Sequence, residues 1–133
     1  MMTDPKYLIV KRSTLSGAGK GLFTKTFISK GDKIVEYTGK ISTWNDADHK
    51  DGKNLYIFYV NRNHVINADN HKKGMAQYAN DARGITKIKG VNNNSAYKEE
   101  NKRIFITATR NIAPGEEIFV GYGKEYWEVI KKG

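Results

Sequence analysis

Short segments dense in β-branched and aromatic residues, each closed by turn-forming residues, run along most of this chain and constrain its fold more than any other feature. Tyr7-Leu8-Ile9-Val10, Gly21-Leu22-Phe23-Thr24, Lys33-Ile34-Val35-Glu36-Tyr37 and Leu55 to Val60 read as strands. His64 to Asn67, Arg103 to Ala108 and Glu117 to Val120 extend the series. The turns fall at Ser16-Gly17-Ala18-Gly19 and Asn61-Arg62-Asn63. Asn45 to Asn54 and Gly84 to Asn101 read as surface loops, and Lys124 to Lys132 as a short helix with Tyr126, Trp127 and Ile130 on one face. Strands at this spacing, without long helices between them, predict a mainly β domain and exclude an alternating parallel α/β architecture. At 133 residues, the expectation is one domain over residues 1–133.

The chain contains no cysteine, which removes disulfides, thiolate zinc sites and cysteine nucleophiles together. No secretory leader is visible behind Met1-Met2-Thr3-Asp4-Pro5-Lys6, and no apolar run approaches the ~18 residues that span a bilayer. The expectation is a soluble intracellular protein with no membrane partner. A formal net charge of +9, from 23 basic and 14 acidic side chains, draws anionic partners. The lysines come singly or in pairs, as at Lys72-Lys73, in the manner of a solvated face. A basic nucleic-acid-binding domain is therefore one functional reading, with steep salt dependence as its mark.

Three apparent sites fail on spacing. His49, His64 and His71 match no zinc pattern, so no metal is expected. Asp46 to Gly52 has an alanine where a calcium loop requires its first oxygen ligand. Gly17-Ala18-Gly19-Lys20-Gly21 has neither dinucleotide nor P-loop spacing and leads into a strand.

Separated pieces make sense together. They are Gly19-Lys20-Gly21-Leu22-Phe23, Glu36-Tyr37-Thr38-Gly39, Tyr78-Ala79-Asn80-Asp81, and Pro114 to Gly123 running into Tyr126-Trp127. In this order the chain resembles the SET-domain family of lysine methyltransferases, with a motif-bearing core at about residues 7–127. The resemblance implies small curved sheets, a C-terminal pseudoknot and short helices. It implies S-adenosylmethionine as cofactor and a protein substrate presenting a lysine, a histone tail among the candidates.

Residue by residue, the resemblance assigns Gly19, Lys20 and Gly21 to the first cofactor segment. Tyr78, Asn80 and Asp81 fall in the second, with Asn80 on the cofactor's amino-acid end. Tyr126 or Trp127 would pack on adenine. Tyr122 matches the catalytic tyrosine, while Tyr37 and Tyr97 match walls of the lysine channel. Val120 occupies a position that tunes how many methyl groups fit.

The departures are equally specific. Asp81 stands where the family has a histidine that braces the strand carrying the tyrosine, followed by Ala82-Arg83 in place of a small polar residue and cysteine. Gly121 replaces a frequent aspartate, and no cysteine-rich zinc module is expected. The Tyr-Gly-x-x-Tyr-Trp ending is similar to compact viral or bacterial members, which implies the cytoplasm for a bacterial protein. A viral or host-directed protein would act in the nucleus or on chromatin. A catalytically silent SET-like binding module is the alternative that Asp81 motivates. A homodimer is a further expectation for a domain without zinc modules to close its substrate face.

Overall fold

The computed structural model describes residues 2–15, 17–43, 57–61, 63–68, 74–82 and 92–121. Ten strands form three small sheets among these residues. β1 (Leu8–Arg12) and β2 (Lys20–Thr24) make a hairpin whose inner strand also pairs with β9 (Glu117–Ile118). β3 (Lys33–Tyr37), β8 (Arg103–Ala108), β7 (Ser95–Glu100) and β10 (Val120–Gly121) form the second sheet in that spatial order. β4 (Lys40–Ser42), β6 (His64–Asn67) and β5 (Ile57–Asn61) form the third. Two single 3-10 turns, Pro5–Tyr7 and Ala76–Tyr78, are the helical elements among the described residues. The mainly β expectation holds.

The three sheets share one core. Leu22 and Ile118 reach it from the first sheet, Ile34, Ile104, Ile106 and Val120 from the second, and Ile66 from the third. Burying one such aliphatic side chain stabilises the fold by about 1.5–3 kcal/mol. Between Lys33 and Val35 the β3–β8 register shifts by a bulge, which lets the adjacent Ile34 and Val35 both turn inward.

β3, β6 and β8 have the boundaries read from the sequence, and β1 begins at Leu8 because Tyr7 closes a 3-10 turn capped by Asp4. One segment is corrected. Ser95 to Glu100, read as part of a loop, is a full strand paired along its length with β8. Its Ala96, Lys98, Glu99 and Glu100 have low strand preference, and the hairpin turn at Asn101-Lys102 lacks the usual glycine. Both turn residues nevertheless take positive φ, 51° and 65°, as a tight two-residue hairpin requires. The short strand β4 was also unread. The loop at Asn45 to Asn54 and the helix at Lys124 to Lys132 lie outside the described residues.

Glu117 to Val120, read as one strand, serves two sheets. Ile118 pairs with Leu22 of β2, Phe119 bridges Asn80, and Val120 pairs with Ser95 of β7 in parallel. A four-residue stretch is thereby held on three sides.

Candidate active site

Gly19 adopts φ +73°, with open space where a side chain would stand, so its backbone is presented outward. Gly21 is a glycine for a different reason. A Cβ there would sit 2.3 Å from Oε2 of Glu117. That carboxylate is buried and accepts hydrogen bonds from the Ser13 hydroxyl at 2.6 Å, the Thr14 N–H at 2.8 Å and the Thr14 hydroxyl at 2.6 Å. Ser13 Oγ in turn accepts the Leu15 N–H. Glu117 thus moors the start of the loop from Ser13 to Gly19, passing beneath the backbone of Gly21.

Asn80 ties the next piece to the first. Its side-chain amide donates to the Lys20 carbonyl at 3.0 Å, and its own carbonyl accepts the Val120 N–H at 2.9 Å. The Lys20 ammonium lies 5.9 Å from the centre of the Tyr78 ring. One asparagine therefore fixes the spacing between β2 and the strand that runs toward Tyr122. Gly19, Lys20, Gly21, Tyr78 and Asn80 come together at this junction.

Asp81 follows Asn80, and its carboxylate accepts from the Asn93 side-chain amide at 2.9 Å. The Asn93 oxygen accepts the Ala82 N–H at 2.8 Å, and its nitrogen lies 3.4 Å from where a Cβ on Gly121 would project. Asn94 faces the other way and is fully buried. It donates to the Glu117 carbonyl at 2.9 Å and accepts the Phe119 N–H at 3.0 Å. Ser95 adds its hydroxyl to the Phe119 carbonyl at 2.8 Å. An Asp81–Asn93 pair therefore packs beside Gly121.

A second group lies along the same sheet. Tyr37 on β3 is opposite Ile104 and Tyr97 on β7 is opposite Ile106, two residues apart on β8, so both tyrosines share one face. Phe58 of β5 packs on both, with ring centres 5.6 Å from Tyr37 and 4.6 Å from Tyr97; the two tyrosines are 6.2 Å apart. All three pairs are tilted or edge-on, the geometry aromatic quadrupoles favour. Gly39 allows the chain to turn after Tyr37, since a Cβ there would meet the Asn67 carbonyl at 2.3 Å. β7 connects the two groups: Tyr97 follows Ala96, which pairs with Gly121 at the end of β10.

Glu117, Ser13, Thr14, Asn93, Asn94 and Phe58 were not singled out from the sequence. Asn92-Asn93-Asn94 reads as loop chemistry, and a buried carboxylate next to the exposed-type Glu116 carries no local signal. Tyr122, Tyr126 and Trp127 lie outside the described residues. Among the described residues no cluster of histidine, cysteine or carboxylate side chains could hold a metal, and no helix is long and apolar enough to cross a membrane.

Residues 19–123 match the family model of the SET domain. The chain belongs to the SET-domain family. The match takes in Gly19, Tyr37, Asn80 and Glu117, the residues around which both groups are built. Among similar SET proteins, the histone-lysine N-methyltransferase EZH2 of Chaetomium thermophilum is 29% identical over 141 residues. That alignment covers 96% of this chain and 9% of the relative. The histone-lysine N-methyltransferase set-1 of Caenorhabditis elegans is 29% identical over 142 residues, covering 98% of this chain and 56% of the relative. The chain thus spans about half or less of the length of these curated relatives. The methyltransferase domain of human PR domain-containing protein 2 superposes with a TM-score of 0.67 at 26% identity, covering 90% of this chain and 79% of that one. The family relationship is to protein-lysine methyltransferases.

Proposed function

We propose that this SET-domain protein transfers a methyl group from S-adenosylmethionine to a lysine side chain of a protein substrate. One observation carries the reading: Asn80 bonds at once to the Lys20 carbonyl and to the backbone of Val120, joining the first family segment to the strand that leads to Tyr122. The residues fit the cofactor. Gly19 offers an unobstructed backbone, and Lys20 and Asn80 offer polar groups around it for an amino-acid end. Tyr126 or Trp127 would stack on adenine. When bound, the cofactor supplies a methyl group activated on a sulfonium.

The chain's own work is to present a neutral, oriented amine. A free lysine has a pKa of about 10.4 and is almost wholly protonated at neutral pH. Tyr37, Phe58 and Tyr97 form an aromatic wall whose low polarity disfavours the ammonium, so the proton leaves to water. No separate general base is needed. The Tyr122 hydroxyl then aims the nitrogen lone pair, which is catalysis by positioning. Histones are the first substrates to try, because the similar proteins are named for them.

The test is transfer of labelled methyl groups to histones and to a whole-cell protein pool. Tyr122→Phe should reduce transfer at least about 100-fold while calorimetric cofactor affinity stays within a few fold. Cofactor binding with no transfer to any pool would favour the silent binding module, and no cofactor binding at all would remove the reading.

A further inference from the structure

We propose that the outer edge of the β1–β2 hairpin binds single-stranded nucleic acid through its phosphates, independently of methyl transfer. Between Asp4 and Asp32 the sequence contains no acidic residue, yet it contains Lys6, Lys11, Arg12, Lys20, Lys25 and Lys30. All six are exposed. The fold places Lys6, Lys11, Arg12, Lys20 and Lys25 along one hairpin and its ends, with β1 at the edge of its sheet, while Lys30 follows beside Asn111. Five residues of strand make this edge about 16 Å long.

The charges are set against one another. Arg12 lies directly opposite Lys20, and a like-charge pair facing across strands is unfavourable. Lys11 lies along the ring of the buried Phe23, 4.5 Å from its centre, which holds its ammonium at the surface. Among the described residues no carboxylate pairs with Lys11, Arg12, Lys20, Lys25 or Lys30. The second sheet is treated differently: Lys33 meets Glu100 and Arg103 grips Glu36 through two hydrogen bonds. An external polyanion would relieve the hairpin's repulsion.

Two exposed rings choose the kind of polyanion. Tyr7 is 41% exposed and Phe27 is 55% exposed. They flank Lys25, whose N–H donates to the Tyr7 carbonyl at 2.6 Å. Exposed rings among cations suit unpaired bases, which stack without regard to sequence, whereas a duplex keeps its base faces hidden.

The test is fluorescence anisotropy of the full chain with a labelled oligothymidine over a series of salt concentrations. Binding should weaken with a log–log salt slope of about −2 to −3, as three or four phosphate contacts give. Arg12→Glu with Lys25→Glu should weaken it at least about tenfold. Lys98→Glu with Lys102→Asp makes the same change of net charge on the β7–β8 hairpin, which also carries Glu99 and Glu100; it should change affinity less than about twofold. Tyr7→Ala with Phe27→Ala should lower affinity and leave the salt slope unchanged. Circular dichroism confirms that each variant is folded. Equal losses in the two charge-reversal variants, duplex bound as tightly as single strand, polyglutamate competing as well as oligonucleotide, or no binding at low salt would each overturn the proposal.

Discussion

The polar junction and the aromatic group solve two problems by opposite means. At the junction, segments 13–21, 80–82, 93–95 and 117–121 are held by side-chain hydrogen bonds to particular backbone atoms, most of them between residues far apart in sequence. Around Tyr37, Phe58 and Tyr97 the contacts are rings tilted against rings. Directional bonds place a backbone to within tenths of an ångström and leave costly orphans when broken. Ring packing makes a dry wall that can shift slightly and still exclude water. The proposed chemistry needs both: fixed backbone groups for the cofactor and an apolar passage for the amine.

The largest test of this contrast is Asn94→Leu. It removes a buried amide and leaves the Glu117 carbonyl and the Phe119 N–H without that partner, so unfolding in urea should show a loss of about 2–5 kcal/mol. Glu117→Ala comes next, at about 2–4 kcal/mol, because Ser13 and Thr14 lose their common acceptor. Gly21→Ala should also destabilise, and the double variant should cost less than the two single losses added together, since the added methyl then enters the space of the removed carboxylate. Full additivity would break the picture of Glu117 passing beneath Gly21.

Tyr37→Leu, on the aromatic side, should cost about 1–3 kcal/mol, as a ring replaced by a smaller apolar group leaves a partly filled space. Its methyl-transfer rate should fall further than its stability, whereas Asn94→Leu should lower both through unfolding.

The smallest effect is electrostatic. Burial alone would raise the Glu116 pKa, but the hydrogen bond from the Ala113 N–H and the Arg110 guanidinium outweigh it and hold it below the ordinary 4.5. A group with a lowered folded-state pKa contributes stability above its unfolded value and loses it as pH falls through the folded value. Glu116→Gln should therefore flatten the stability profile slightly below about pH 4.5 and lower stability a little at neutral pH. A difference that grows toward acid pH would contradict this.

Legibility from sequence followed the same division. Strands β3, β6 and β8 are dense in their own β-branched and aromatic residues, and Tyr37 and Tyr97 were singled out by motif. β7 could not be read, because its stability comes from pairing with β8 and β10 and not from its own Ala, Lys and Glu residues. Glu117, Asn93 and Asn94 were hidden for a related reason. Their partners lie 11 to 104 positions away, and no local pattern reports a hydrogen bond at that distance. Gly21 did carry a signal, but the reason for it is a carboxylate from the other end of the matched region.

That mooring also sets an order of assembly. Ser13 and Glu117 are 104 positions apart, so during synthesis the Ser13–Gly19 loop waits for the later residue to emerge. At ordinary elongation rates the wait is roughly 5–20 s. Through that interval the loop lacks its buried anchor, and the earliest motif to leave the ribosome is among the last to take its final shape. Nascent chains stalled before Glu117 should leave the Thr14 amide open to hydrogen exchange, and chains stalled well beyond it should protect it.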